Sequence, residues 1–219
     1  MPWNCCGVDS APDAQVRAVA EMRTFVAVEV SEAVRAEVAE WSAALRSAGA
    51  DYRWVEPANY HLTLKFLGAI DAERMLTPLQ AALTELAAGL PPVTVTCQGI
   101  GCFPGWGNPR VLWVGLGDGR TAMTALARAV DRVTLPLGFA ASAKDPAPHL
   151  TLARQRSPSG SSRLLEAVRR LGEDRVAGSF TVGEIRLMES RLSPAGPTYV
   201  VKGRFRLGAP AADSSQRSR

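Results

Sequence analysis

His61-Leu62-Thr63-Leu64 and His149-Leu150-Thr151-Leu152 are two copies of one tetrad, and how they are read decides the fold. The chain has 219 residues and two histidines, and each histidine opens a copy. A lone histidine on an apolar strand reads as a core residue. Two matched copies that use both histidines read as an acid and a base, because imidazole changes charge near neutral pH. Strand side chains alternate between faces, so His61 and Thr63 share one face, about 7 Å apart. Leu62, Leu64 and Phe66 are then free to be buried on the other face. His149 and Thr151 repeat the arrangement, backed by Leu150 and Leu152.

If the two strands face one cleft, two imidazoles and two hydroxyls converge. One imidazole takes a proton from a nucleophile and the other gives one to a leaving oxygen. The threonine hydroxyls donate to nonbridging oxygens where charge grows. That machinery fits phosphodiester cleavage without a metal. Two histidines could also hold a metal, but no carboxylate or cysteine stands at ligand spacing beside them. A threonine or cysteine nucleophile has no supporting motif. The glycines at 99, 101, 105 and 107 do not give a nucleotide fingerprint leading into a helix.

Outward from the tetrads, strands and helices mix within each half. Met22 precedes the β-forming run Arg23-Thr24-Phe25-Val26-Ala27-Val28, and folding is expected to start there, with Met22 a candidate biological start. Residues 1–21 read as an extension, 22–207 as one two-lobed domain and 208–219 as a disordered tail. Ser31 caps a helix that places Val34, Val38, Trp41 and Leu45 on one face. Tyr60 to Leu67 reads as a strand closed by Gly68, Asp71 to Ala88 as a helix with Pro78 as its weak point, and Val93 to Ile100 as a strand. Gly101 to Pro109 reads as a loop, Arg110 to Leu116 as a strand and Thr121 to Val133 as a helix. The second tetrad strand, a helix to Leu171, a strand from Phe180 to Glu189 and another from Tyr199 to Leu207 complete the chain.

Apolar content of 47% and charged content of 21% are ordinary for a globular protein. No apolar run reaches membrane-spanning length, and Met1 to Arg17 lacks the pattern of a secretory signal. A cytoplasmic monomer is expected. Cys5, Cys6, Cys97 and Cys102 lack zinc spacing and read as free thiols. The net charge of +4, carried almost wholly by arginine, permits a nucleic-acid partner without requiring one.

With these motifs in place, the chain resembles the two-histidine (2H) phosphoesterase superfamily, in particular the bacterial and archaeal RNA 2′,3′-cyclic phosphodiesterases once called 2′-5′ RNA ligases. The resemblance runs from Met22 to Leu207. It rests on the strand after Met22, on Trp54 to Pro57 and Asn59 leading into His61-Leu62-Thr63-Leu64-Lys65-Phe66-Leu67-Gly68, and on Phe103-Pro104 with Pro109-Arg110-Val111-Leu112-Trp113. It rests further on Pro148 through Arg154, and on Leu187 to Ser190, Leu192, Gly196-Pro197 and Tyr199. It implies a two-lobed α+β fold with pseudo-symmetric lobes, antiparallel sheets lining a central cleft, and helices outside.

The resemblance also implies hydrolysis of a terminal 2′,3′-cyclic phosphate to a 2′-phosphate without cofactor, and the reverse joining of RNA ends. By motif position His61 is the proton donor and His149 the proton acceptor. Thr63, Thr151 and Arg154 then bind phosphate. Strict alternation puts Arg154 on the wrong face, so either the strand twists or bulges after Leu152 or Arg154 acts from the strand end, with a solvent-facing arginine as the alternative. Lys65 shares parity with His61 and Thr63 and reads equally as a phosphate-attracting residue or as a solvated strand-end lysine. Phe103 and Trp106 are candidates for stacking on the terminal base, whereas Trp41 and Trp113 read as core. The residues before Pro148 lack the aromatic frequent in the family. A related enzyme acting on another cyclic phosphate or a 2′-5′ oligonucleotide, and a non-catalytic RNA-end-binding module, are the alternatives.

Overall fold

The computed structural model describes residues 21–194 and 196–208. The expectations for residues 1–20 and 209–219, with Cys5 and Cys6, lie outside them. Strand β1 (Glu21–Glu29) leads into helix α1 (Glu32–Arg46), whose first turn is capped by the Ser31 hydroxyl accepting from the Val34 amide. A short β2 (Tyr52–Trp54) and a one-turn 3-10 helix (Pro57–Asn59) deliver the chain to β3 (His61–Asp71). Asp71 caps α2 (Ala72–Ala88), which runs through Pro78. Next come β4 (Val93–Phe103), β5 (Val111–Leu116), α3 (Arg120–Thr134), β6 (Leu150–Gln155) and α4 (Ser161–Leu171). The chain closes with β7 (Val176–Val182), β8 (Glu184–Ser193) and β9 (Gly196–Arg206).

All pairings are antiparallel, in the order β7-β4-β5-β6-β3-β1-β8-β9, with β2 added to the end of β6. The sheets of the two halves meet in the middle of this order, at one rung between Leu62 and Leu150. The two tetrad strands are thus direct neighbours. The succession β1-α1-β3-α2 matches β5-α3-β6-α4, and the outer pair β8-β9 matches β4-β7, so the halves are pseudo-symmetric. The first half borrows its outer strands from the C-terminus, which is why the repeat is hard to see in linear sequence.

The run from Phe180 to Glu189 reads as one strand by its apolar pattern, but Gly183 splits it. β7 pairs with β4 and β8 with β1, on opposite sides of the sheet. A single residue joins them, and consecutive Cα atoms are about 3.8 Å apart. The sheet must therefore curl until its two sides approach, which makes a half-barrel. Helices cover its apolar face, with α1 packed on α4 and α2 on α3. The core beneath them holds Val38, Trp41, Leu62, Leu79, Leu83, Leu112, Leu150, Leu152 and Val168. No described helix is long and apolar enough to cross a membrane.

The two central strands share one irregularity. On β3, Thr63 pairs with Ala27 and Lys65 with Val26, so Leu64 is an extra residue. On β6, Thr151 pairs with Trp113 and Ala153 with Leu112, so Leu152 is an extra residue. Each is a β-bulge, which shifts the alternation of every residue after it. Burial runs half-buried, buried, half-buried, buried, buried, exposed, half-buried from His61 and again from His149.

Candidate active site

The rung between Leu62 and Leu150 fixes what faces the concave side. Both leucines are fully buried beneath the sheet. Their neighbours His61, Thr63, His149 and Thr151 are half-buried on the other face. In an antiparallel ladder, the step either side of that rung sets His61 toward Thr151 and Thr63 toward His149. Among the described residues, neither threonine hydroxyl makes a hydrogen bond within the protein.

The histidines are held alike. His61 Nδ1 lies 2.7 Å from the Asn59 carbonyl, and His149 Nδ1 lies 2.7 Å from the Ala147 carbonyl. A carbonyl only accepts, so each Nδ1 carries hydrogen and each Nε2 is left for chemistry. Both imidazoles titrate below the ordinary value of 6.5, chiefly because burial penalises the charged ring. The carbonyl bond opposes that shift. His149 and Arg154 add to it at His61, and Arg154 adds to it at His149.

Arg154 is exposed and acts electrostatically on both histidines and on Tyr199. The Leu152 bulge is what returns it to the histidine face. The matching bulge at Leu64 has the opposite consequence for Lys65. It turns Lys65 away from His61 into the interior, where it is 5% exposed, with Nζ 2.7 Å from Asp131 and 2.8 Å from the Thr134 hydroxyl. Lys65 is therefore a core ion-pair residue and not a phosphate candidate. Phe66, expected among the buried backing residues, is 70% exposed instead. It occupies on β3 the place that Arg154 occupies on β6, since Phe25 pairs with Phe66 as Val111 pairs with Arg154.

Aromatic rings brace both imidazoles. Around His61 stand Phe25 at 5.0 Å and Tyr199 at 5.1 Å between ring centroids. Around His149 stand Phe103 at 5.1 Å and Trp113 at 6.1 Å. Trp113, read from sequence as core, is thus half-buried and forms a wall beside His149. Its ring lies over Gly101, where an added Cβ would meet the ring at 2.2 Å. Trp41 is core, as expected, and Trp106 is half-buried against the core. Sequence reasoning missed Phe25, Phe66 and Tyr199 as neighbours of the site, because only the strand register brings them there. A cavity of about 170 Å³ opens beside His61 and Tyr199, lined also by Asn59, Arg186 and Met188.

The curled antiparallel sheet and its paired histidine–threonine strands define a two-lobed phosphoesterase architecture. The model of the LigT-like phosphoesterases matches residues 28–113 and 115–199, and the chain belongs to that family. It is similar to the RNA 2′,3′-cyclic phosphodiesterase of Methanothermobacter thermautotrophicus, with 35% identity over 187 residues, 85% of this chain and 100% of that protein. It is also similar to the enzyme of the same name from Archaeoglobus fulgidus, with 34% identity covering 81% of this chain and 96% of the relative. Among solved structures, TT0787 of Thermus thermophilus superposes with a TM-score of 0.71 at 30% identity, covering 85% of this chain and 98% of the other. Escherichia coli LigT complexed with 3′-AMP superposes with a TM-score of 0.65 at 25% identity, over 85% and 98% of the two chains.

Proposed function

We propose that the protein hydrolyses 2′,3′-cyclic phosphate ends of RNA to 2′-phosphates by paired histidine catalysis. The observation that carries this reading is the matched locking of both Nδ1 atoms on backbone carbonyls, which reserves two Nε2 atoms for the same cleft. His149 takes a proton from water as the water oxygen attacks phosphorus. The bond from phosphorus to the 3′ oxygen breaks, and His61 delivers the proton that this oxygen needs. Thr63 and Thr151 donate to the nonbridging oxygens, and Arg154 offsets their charge. Phe66 offers an exposed ring on which the terminal base stacks. The same groups, with a 5′-hydroxyl attacking in place of water and the 3′ oxygen again leaving, would join a cyclic end in a 2′-5′ linkage. The names of the similar enzymes support the substrate class.

Mass spectrometry of the product from a cyclic-phosphate-ended oligonucleotide is the direct test. A 2′-phosphate is expected, with the rate unchanged by EDTA. A 3′-phosphate, or loss of activity on chelation, would refute the scheme.

The pH dependence follows from the two depressed imidazoles. Turnover needs one ring protonated and the other neutral. With both folded values below 6.5, that mixed state is richest on the acid side of 6.5 and is lost as pH rises. The profile of kcat/KM, which reports the free enzyme, is expected to be bell-shaped with its maximum below that value. Bound phosphate stabilises imidazolium, so the kcat maximum should lie at higher pH. A kcat/KM maximum on the alkaline side of neutrality would contradict this.

A further inference from the structure

We infer that three arginines leading away from the histidines, Arg53, Arg154 and Arg156, form a phosphate track for the body of a single-stranded RNA. This rests on the reading of the site as an RNA-end phosphodiesterase and extends it from the terminal nucleotide to the strand behind it. Arg53 on β2 pairs directly with Arg154 on β6, so the two side chains stand together on one face. Like charges set opposite each other in a sheet destabilise it. Arg156 follows two residues after Arg154, with its amide donating to the Asp51 carbonyl on the β2 side. Arg110, whose carbonyl accepts from the Gln155 amide, stands opposite Gln155 and so belongs to the other face. Arg53, Arg154 and Arg156 are all exposed.

Among the described residues no ion pair engages any of the three. Other arginines nearby differ. Arg46 and Arg175 face Glu56 and Glu37, and Arg163 is spent on the Ala48 and Gly49 carbonyls at the end of α1. Asp51, whose carbonyl accepts from the Arg156 amide, is the one carboxylate in these segments and forms no ion pair with them. One carboxylate beside three guanidinium groups leaves the cluster with a net positive charge. Neighbouring strands are about 4.8 Å apart and residues along a strand about 3.3 Å, so the cluster is a patch several residues across rather than one anion pocket. It is continuous with Arg154, which already acts on both histidines. A polyanion entering the cleft supplies the missing charge at successive phosphates, and guanidinium forks suit those oxygens.

The test compares wild type with an Arg53→Ala/Arg156→Ala double variant, on substrates from a cyclic mononucleotide to a strand of about eight nucleotides. For wild type, KM should fall with length and rise with salt. The double variant should raise KM for the long substrate roughly tenfold or more, as expected for lost charge-assisted contacts. It should also reduce the slope of log affinity against log salt by about 0.7 for each contact removed. Its kcat/KM for the mononucleotide should stay unchanged. Equal loss on short and long substrates, or no loss on either, overturns the track. If wild type hydrolyses no cyclic phosphate, the catalytic reading has failed separately. Anisotropy of a labelled single-stranded RNA then decides the track: weaker binding by the double variant supports it, and equal binding overturns it.

Discussion

His61→Ala and His149→Ala are each expected to lower turnover of a cyclic-phosphate-ended oligonucleotide by about 10²–10⁴-fold, the range that one positioned proton-transfer group supplies. The double variant should lose little more than the worse single variant, because the two groups act in one step. KM should change far less than kcat, since in the proposed scheme Thr63, Thr151 and Arg154 still bind the phosphate. The surviving pH profiles separate the roles. If His61 is the acid, its removal abolishes the fall at high pH, where that ring would have lost its proton. If His149 is the base, its removal abolishes the rise at low pH, where that ring would have gained one. The reverse pattern exchanges the two assignments, and a single variant with full turnover removes the paired mechanism altogether. Both rings are depressed by the same leading cause, burial. Titration direction alone therefore does not distinguish them, and the kinetic profiles do.

The tetrads were legible because their chemistry and alternation are local. A histidine, a threonine two residues on and leucines between them fix the two faces without further context. Helix α1 was legible for the same reason, with a serine cap and an apolar stripe that continues to Leu45. What alternation could not supply was the bulge in each central strand. A bulge is a relation between a strand and its partner, here between Leu64 and β1 and between Leu152 and β5. It leaves no mark in the residues that bulge, which are leucines in both copies. Arg154 signalled the problem, because a basic residue with the parity of Leu150 conflicts with a buried face. Lys65 gave no such signal, since its parity matched His61. The borrowing of β8 and β9 by the first half is likewise a property of long-range pairing. So is the seating of Tyr199 against His61.

The enclosed Lys65–Asp131 pair carries the largest expected effect on stability. Asp131→Ala is expected to destabilise the fold by about 3–5 kcal/mol, the cost of leaving a buried charge without its partner. For a chain of this size that lowers Tm by about 6–20 °C. Lys65 is enclosed and keeps only the Thr134 hydroxyl once the carboxylate is gone. Asp131 is less confined. Its carboxylate also accepts from the Ser142 amide and hydroxyl, at 3.0 and 2.8 Å. Lys65→Met, which replaces the stem and removes the ammonium, should therefore cost much less than Asp131→Ala. Adding Lys65→Met to Asp131→Ala should restore part of the loss, since it removes the orphaned charge. The Lys65 ammonium, with help from Ser142, holds the Asp131 carboxyl below the usual range. A lowered folded value means the pair stabilises above the unfolded carboxyl's titration and is lost as pH falls through the folded one. Acid should thus narrow the gap in Tm between wild type and Asp131→Ala. Below its melting temperature Asp131→Ala should turn over substrate at the wild-type rate, because the pair lies behind the sheet from the histidines. A Lys65→Met variant with intact Tm and a raised KM would instead return Lys65 to the phosphate site.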